Sequence, residues 1–135
     1  MRMFVALALF DGVPSSWLDD ASALREALEA AVCAGRFTSL SMTVVPFSPH
    51  GVTACAVVGE SHLALHSWPE EGRLFVDVAS CSTLESVRLA VDAVQRTLPA
   101  GRLITLDERV LDGSGAQGAA AEPLPGARSP GEPRG

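Results

Sequence analysis

The sequence predicts an α+β fold: a two-layer sandwich whose largely antiparallel sheet has two helices on one face, in the order β-α-β-β-β-β-α-β. Two observations support this prediction, namely apolar runs with either period-two or helical spacing, and turn signals that leave short connections between most strands. Short connections favour antiparallel pairing, since a parallel pair needs a long crossover. The face without helices must then be covered, and a second copy of the chain is the simplest cover.

Six runs are predicted to be strands because they are apolar or alternate between apolar and polar residues. The clearest alternation is in the fifth run, where Leu74, Val76 and Val78 alternate with Arg73, Phe75 and Asp77. The six runs are 3–10, 37–47, 51–58, 61–67, 73–79 and 102–110.

A first helix is predicted over residues 15–34. Ser16 with Asp19 three residues later is a helix-start signal, and Gly35 stands where a helix C-terminal glycine is common. One apolar stripe joins them, formed by Leu24, Ala27, Leu28, Ala31 and Val32.

A second helix follows the fifth strand. Ser82 and Glu85 have the spacing of a capping box, and Pro99-Ala100-Gly101 ends the helical pattern. Between them lies an apolar stripe of Leu84, Val87, Val91, Val94 and Leu98.

One domain is predicted over residues 1–111, followed by a tail over 112–135. The tail is rich in Gly, Ala, Pro and Ser. Such a segment buries too little apolar surface to offset its ordering entropy, so it is expected to be disordered.

Composition excludes several classes of protein. The net charge of −6 and the lack of a basic stripe argue against a nucleic-acid partner, and weakly favour cationic ligands. No run approaches the roughly 20 apolar residues of a membrane span. The three cysteines, Cys33, Cys55 and Cys81, form no CxxC pair. Free thiols of this kind predict a cytoplasmic location.

Reactive residues concentrate in one stretch, residues 47–81, which contains Ser61, His66 and Cys81. On a regular strand Ser61 and His66 point to opposite faces, so a bend or bulge would be needed to bring them together. A zinc site of His62, His66 and Cys81 is an alternative that lacks a fourth ligand in a tight pair. A hydrolase nucleophile elbow would need a second glycine after Ser61, where Leu63 stands.

The same stretch resembles the short bacterial and archaeal form of the S-adenosylmethionine decarboxylase family. Its family pattern is roughly F-x-P-x-G-V-S, E-S-H-x-x-I-H-T-W-P-E and D-V-F-T-C-G. Three segments of this chain carry the match: 47–53 (FSPHGVT), 60–70 (ESHLALHSWPE) and 77–82 (DVASCS). The spacing of Ser61, His66 and Cys81 is that of the family. In size and element order the resemblance extends over about residues 1–110.

The resemblance implies self-cleavage between Glu60 and Ser61, giving chains 1–60 and 61–135. Ser61 would become a pyruvoyl group, the only cofactor expected; no metal is implied. Thr53 matches a serine that stabilises the cleavage intermediate. His66 matches the base that removes the serine α-proton. Cys81 matches the acid that reprotonates the substrate.

The resemblance also implies a substrate and an assembly. The substrate would be S-adenosylmethionine, decarboxylated to the aminopropyl donor for polyamine (spermidine) synthesis. Phe47, Leu63 and Glu70 match residues that contact its adenine and ribose, and the cleaved protomers are expected to form a homodimer. Glu71 and Ser82 depart from the pattern, where the family has an aromatic residue and a glycine. These departures leave open a pyruvoyl-dependent L-ornithine or L-arginine decarboxylase of the same family. A non-catalytic regulatory paralogue is a separate alternative.

Overall fold

The computed structural model describes residues 1–113. They form a six-stranded sheet with helices on one of its faces. The strand order is β2-β3-β4-β5-β1-β6, and every neighbouring pair is antiparallel. The predicted fold class is confirmed. Both ends of each predicted strand lie within two residues of the observed ends. The strands are β1 (Met3–Asp11), β2 (Ser39–Pro46), β3 (Val52–Val58), β4 (Ser61–Trp68), β5 (Arg73–Ser80) and β6 (Arg102–Leu111).

The predicted single helix over 15–34 is wrong in one respect: it is two helices, α1 (Ser15–Leu18) and α2 (Ala21–Ala34). Asp20 separates them, and its carboxylate accepts hydrogen bonds from two N–H groups in the first turn of α2, at 2.9 and 3.3 Å. A capping residue has extended backbone, so one helix cannot continue through it. Ser16 lies inside α1 and caps nothing.

The last helix, α3 (Leu84–Thr97), begins one residue later than its predicted capping box implies. Thr83 is the cap, and its hydroxyl accepts a hydrogen bond from the N–H of Ser86 at 3.0 Å. Ser82 and Glu85 therefore do not form the predicted box. Thr and Ser cap helices almost equally well. Where the two stand side by side, the sequence alone does not show at which of two positions the helix begins.

The core lies between the sheet and the layer formed by α2 and α3. Alternate residues of the central strands point into it, and α1 adds the fully buried Leu18. No helix in residues 1–113 is long and apolar enough to cross a bilayer. The largest fully buried side chains of the sheet are Phe10, Val52, Val58, Leu63, Leu65, Leu74, Val76 and Val78; those of the helices are Leu18, Leu24, Leu28 and Val87.

The second sheet face, which we call the open face, is covered by no element within residues 1–113. It carries the other half of each strand's side chains, many of them apolar and only partly buried. These include Val5, Leu7, Leu9, Cys55, Val57 and Phe75. A surface of this kind on a folded chain indicates an interaction site.

Candidate active site

The turn between β3 and β4 has a strained backbone. Val58 pairs with Ser61, so only Gly59 and Glu60 form the turn. Glu60 has a φ of 60°, in the left-handed region, which costs a residue with a side chain about 1–2 kcal/mol relative to the right-handed form. The peptide bond at the predicted cleavage site therefore follows a residue in an unfavourable conformation.

Ser61 begins β4 at this turn and pairs with Val58 on one side and Ser80 on the other. Its Oγ is shielded from solvent and has no hydrogen-bond partner among the described residues. A buried hydroxyl left without a partner costs about 1–3 kcal/mol. No neighbouring group competes for the hydroxyl oxygen that the self-cleavage reaction would use as its nucleophile.

Cys81 lies beside the same turn because it follows Ser80, the residue of β5 that pairs with Ser61. Its Sγ donates a hydrogen bond of 3.0 Å to Oε2 of Glu60. This hydrogen bond raises the pKa of the Cys81 thiol above its ordinary value, and desolvation and the Glu60 charge act in the same direction. The thiol is therefore held in its protonated form next to the predicted cleavage site.

His66 lies near the far end of β4 and forms a second group with Thr53. Thr53 and His66 are directly opposite each other on β3 and β4, and Thr53 Oγ1 is 2.9 Å from His66 Nδ1. The imidazole also stacks on Phe75, with ring centroids 5.9 Å apart and planes inclined by 26°. Two contacts thus fix the orientation of the His66 ring on the open face.

Ser61 and His66 are not brought together within one copy of the chain. β4 pairs with β3 and β5 without a shift in register, so the bend that would unite them is absent. Five residues of strand separate them by about 16 Å along β4, and their side chains point to opposite faces. The separation that strand alternation predicts is confirmed.

The predicted substrate-binding residues are divided in the same way. Phe47 and Glu70 lie at the His66 end of the sheet, where Phe47 is 54% exposed and Glu70 Oε2 is 2.7 Å from His50 Nε2. Leu63 is near Ser61, and its side chain is buried in the core. A cleft of about 430 Å³ adjoins Glu70; its lining residues are Ser15, Ser16, Asp19, His50, Pro69 and Glu70.

Three features of the site were not predicted from the sequence. Asp19, expected to start a helix, instead accepts a hydrogen bond of 2.9 Å from the N–H of Gly51, so α1 holds the β2–β3 turn. His62 Nε2 is 3.3 Å from Asp77 Oδ2 on the open face. Phe75 stacks on His66 across paired strands. The period-two pattern of 73–79 assigns Phe75 and Asp77 to one face, but only the strand register reveals their partners.

Comparisons with known proteins show the family of the chain. A family model described as S-adenosylmethionine decarboxylase matches residues 6–107. The chain belongs to the S-adenosylmethionine decarboxylase family. It is 36% identical over 88 residues to the S-adenosylmethionine decarboxylase proenzyme of Aquifex aeolicus, which is 65% of each chain. The proenzyme of Persephonella marina is 34% identical over 106 residues, 78% of this chain and 77% of that one.

A solved structure of the S-adenosylmethionine decarboxylase family has the same fold. The crystal structure of the adenosylmethionine decarboxylase from Aquifex aeolicus superposes with a TM-score of 0.71 at 30% identity. The alignment covers 89% of this chain and 93% of that chain. The resemblance seen in the sequence motifs is therefore confirmed over nearly the whole described fold.

Two departures from the family pattern fit the local structure. Ser82 replaces a glycine, but it is not among the residues with positive φ, so the position does not require glycine. Ser67 replaces a threonine before Trp68, and its buried Oγ donates to the carbonyl of Leu18 at 2.6 Å and accepts from the N–H of Val52 at 2.9 Å. The hydroxyl group, which both residue types share, supplies these bonds.

Proposed function

We propose that this chain is a self-processing, pyruvoyl-dependent decarboxylase of S-adenosylmethionine, which makes the aminopropyl donor for polyamine synthesis. One observation carries the proposal: at the predicted cleavage bond, a left-handed Glu60 is followed by Ser61, whose buried hydroxyl has no hydrogen-bond partner within residues 1–113. The relatives are named S-adenosylmethionine decarboxylase proenzymes, and so do not favour the ornithine or arginine alternative. Retention of Ser61, His66 and Cys81 together argues against a non-catalytic paralogue.

Self-cleavage begins when Ser61 Oγ attacks the carbonyl carbon of Glu60. The C–O bond forms and the C–N bond of the peptide breaks, giving an ester with a free amine on Ser61. The left-handed conformation at Glu60 favours this step, because breaking the C–N bond frees the turn from its backbone constraint. A base then removes the Ser61 α-proton, and residues 1–60 leave as a carboxylate. Water hydrolyses the resulting dehydroalanine and releases its nitrogen as ammonia, which leaves a pyruvoyl group on residues 61–135.

The surroundings of Ser61 fit a pyruvoyl group. The Oγ makes no hydrogen bond among the described residues, so its departure with residues 1–60, which leaves Cβ as the methyl group of the pyruvoyl, breaks none. Val58 on β3 and Ser80 on β5 flank Ser61 and hold the start of β4 between them. When present, the ketone supplies the sink for the electrons released with CO₂. Cys81, protonated beside this position, is suited to return a proton to the substrate α-carbon.

His66 is suited to act as the base of the cleavage reaction. Its Nδ1 contacts Thr53 Oγ1, and if the Nδ1–H donates to that oxygen, Nε2 keeps a free lone pair for proton abstraction. Thr53 then sets the tautomer of His66. The hydroxyl of Thr53, in the position of the family serine, is also a donor for the developing oxyanion of the cleavage intermediate.

We further propose that the working unit is a homodimer, in which each site combines two copies. Ser61 and Cys81 lie at one end of β4, whereas Thr53 and His66 lie at the other. A two-fold axis across β4 brings the first pair of one copy to the second pair of its partner. The apolar open face supplies the contact surface, and Ser61, as the first residue of β4, is reached from the sheet end.

The substrate would bind between the same two copies. Phe47 is exposed and available to stack on an adenine ring, and Glu70 is available to accept hydrogen bonds from ribose hydroxyls. Leu63, with its side chain in the core, would contribute backbone contacts near Ser61. The net charge of −6 favours a substrate that carries a sulfonium and an ammonium group.

The free cysteines of the chain are compatible with the reducing cytoplasm.

Release of CO₂ tests the activity directly. Purified protein is incubated in parallel with carboxyl-labelled S-adenosylmethionine, ornithine and arginine, with Ser61→Ala as the inactive control. We expect release from S-adenosylmethionine alone. Faster release from ornithine or arginine would overturn the substrate assignment, and no release from any of them would overturn the activity.

A further inference from the structure

We propose that Glu60 is a positioning residue for Cys81: its carboxylate accepts a hydrogen bond from the thiol and so keeps this thiol a proton donor instead of a nucleophile beside the cleavage bond. The role assigned to the contact rests on the proposed function, whereas the contact is observed independently of it. Because Glu60 is the last residue of the chain 1–60, self-cleavage separates the chain that carries the carboxylate from the chain that carries the thiol.

The contact follows from the backbone on both sides. The β4–β5 register places Ser61 opposite Ser80, so Glu60 and Cys81, the residues just beyond this pair, leave the sheet side by side. The left-handed φ of 60° directs the Glu60 side chain out of a two-residue turn, where its Oε2 lies 3.0 Å from Sγ. Any residue with a side chain bears that strain, but Glu supplies a charged acceptor.

The chemistry requires such an acceptor. A thiolate is the reactive form of cysteine as a nucleophile, and a thiolate at this position would have a peptide carbonyl beside it throughout the life of the uncut chain. A carboxylate that accepts S–H···O⁻ disfavours loss of the proton, since the product would place two negative charges 3.0 Å apart. The contact therefore keeps Cys81 protonated while the chain is uncut.

Few other charges are available to produce this effect. The elements next to Cys81 carry Asp77 on β5, Arg2 ahead of β1 and Glu85 in the first turn of α3. Asp77 contacts His62. Within residues 1–113, Glu60 is the one charged group that contributes to the raised pKa of Cys81.

The test measures the reactivity of the thiol, which does not depend on turnover. Full-length Ser61→Ala, which keeps the peptide bond after Glu60 intact, is treated with iodoacetamide between about pH 6.5 and 9.5, the range in which a thiol of ordinary pKa ionises. Alkylation of each cysteine is followed by peptide mass analysis. The same profile is measured after adding Glu60→Gln, which keeps the side-chain shape, or Glu60→Gly, which removes both the strain and the carboxylate. Glu71→Gln is the matched control at the far end of β4, and exposed Cys33 is the internal reference.

We expect both Glu60 variants to speed alkylation of Cys81 at about pH 7.5 by about threefold or more, with the profile moved to lower pH. Cys33 should react at an unchanged rate in all variants, and Glu71→Gln should leave Cys81 unchanged. Equal Cys81 rates with and without the Glu60 carboxylate would overturn the proposal. An effect of Glu60→Gly without one of Glu60→Gln would also overturn it, because strain and not charge would then control the thiol. A wild-type chain that never cleaves itself would contradict the proposed function but leave these rates interpretable.

Discussion

Thr53 Oγ1 lies 2.9 Å from His66 Nδ1, on the open face and at the opposite end of β4 from Ser61. This contact joins two residues that the sequence motifs assign to the same reaction as Ser61, yet it lies about 16 Å from that serine along the strand. The relationship leads to the proposals that Thr53 sets the His66 tautomer and that the pair serves the site of a second copy.

Replacement of Thr53 separates its two polar roles from its shape. Thr53→Val keeps the volume but cannot accept the Nδ1–H bond, and we expect self-cleavage to slow about tenfold, which is the worth of one hydrogen bond. Thr53→Ser keeps the hydroxyl and should cleave at nearly the normal rate. Both rates are read from the appearance of the two chains on denaturing gels; a Thr53→Val chain that cleaves normally would remove Thr53 from the machinery.

Co-expression of two inactive chains tests whether the site is shared. Ser61→Ala keeps His66 but has no nucleophile, and His66→Ala keeps the nucleophile but has no base. If the partner supplies the base, mixed dimers should cleave the His66→Ala chain and leave the Ser61→Ala chain intact. Differently tagged chains make the two products distinguishable. The wild-type chain with each tag is the positive control. If both controls cleave but the mixture does not, the two residues act within one copy and the shared site is refuted.

Relief of the backbone strain should stabilise the uncut chain. In a Ser61→Ala background, Glu60→Gly removes the left-handed penalty of about 1–2 kcal/mol but adds flexibility to the unfolded chain, so we expect a net gain of about 0.5–1 kcal/mol. Urea unfolding at one fixed protein concentration measures it. Glu71→Gly is the control in an exposed turn with no such φ. A loss of stability in Glu60→Gly would show that the Glu60 side chain, and not its conformation, dominates.

Glu70 and Glu71 are neighbouring acids that the proposed pocket uses differently. Glu70→Gln removes the charge that accepts ribose hydroxyl bonds, so we expect KM for S-adenosylmethionine to rise about 10- to 100-fold with a smaller change in kcat. Glu71→Gln should change neither value by more than about twofold. Identical effects of the two substitutions would contradict a specific role for Glu70.

Local sequence signals predicted most of the fold. The period-two run of 73–79 and the apolar run of 3–10 place their strands within a residue, because each signal lies within the element itself. The failures occur where neighbouring residues could play the same local role. Ser16 and Asp20 are both common capping residues, and it is Asp20 that caps a helix, because α1 ends at Leu18. Asp19 instead bonds to Gly51, 32 residues away in sequence. The start of α3 was predicted one position early because Ser82 and Thr83 are both suitable caps.

The chemistry of the site was predicted less completely. Strand alternation alone separates Ser61 from His66, as the sequence indicates. The contact of Cys81 with Glu60 depends instead on the β4–β5 register and on the left-handed φ of Glu60, and no local pattern specifies either. Interactions between residues that lie 21 positions apart in sequence become visible only once the sheet is assembled.

The mass of the purified protein under denaturing conditions tests the central claim most directly. We expect two chains that meet at Glu60–Ser61, with the larger one lacking a free amino terminus and gaining the mass of one hydrazine adduct less water after treatment with hydrazine. Ser61→Ala should give one uncut chain and no adduct. A single intact wild-type chain without a trappable carbonyl would contradict the account.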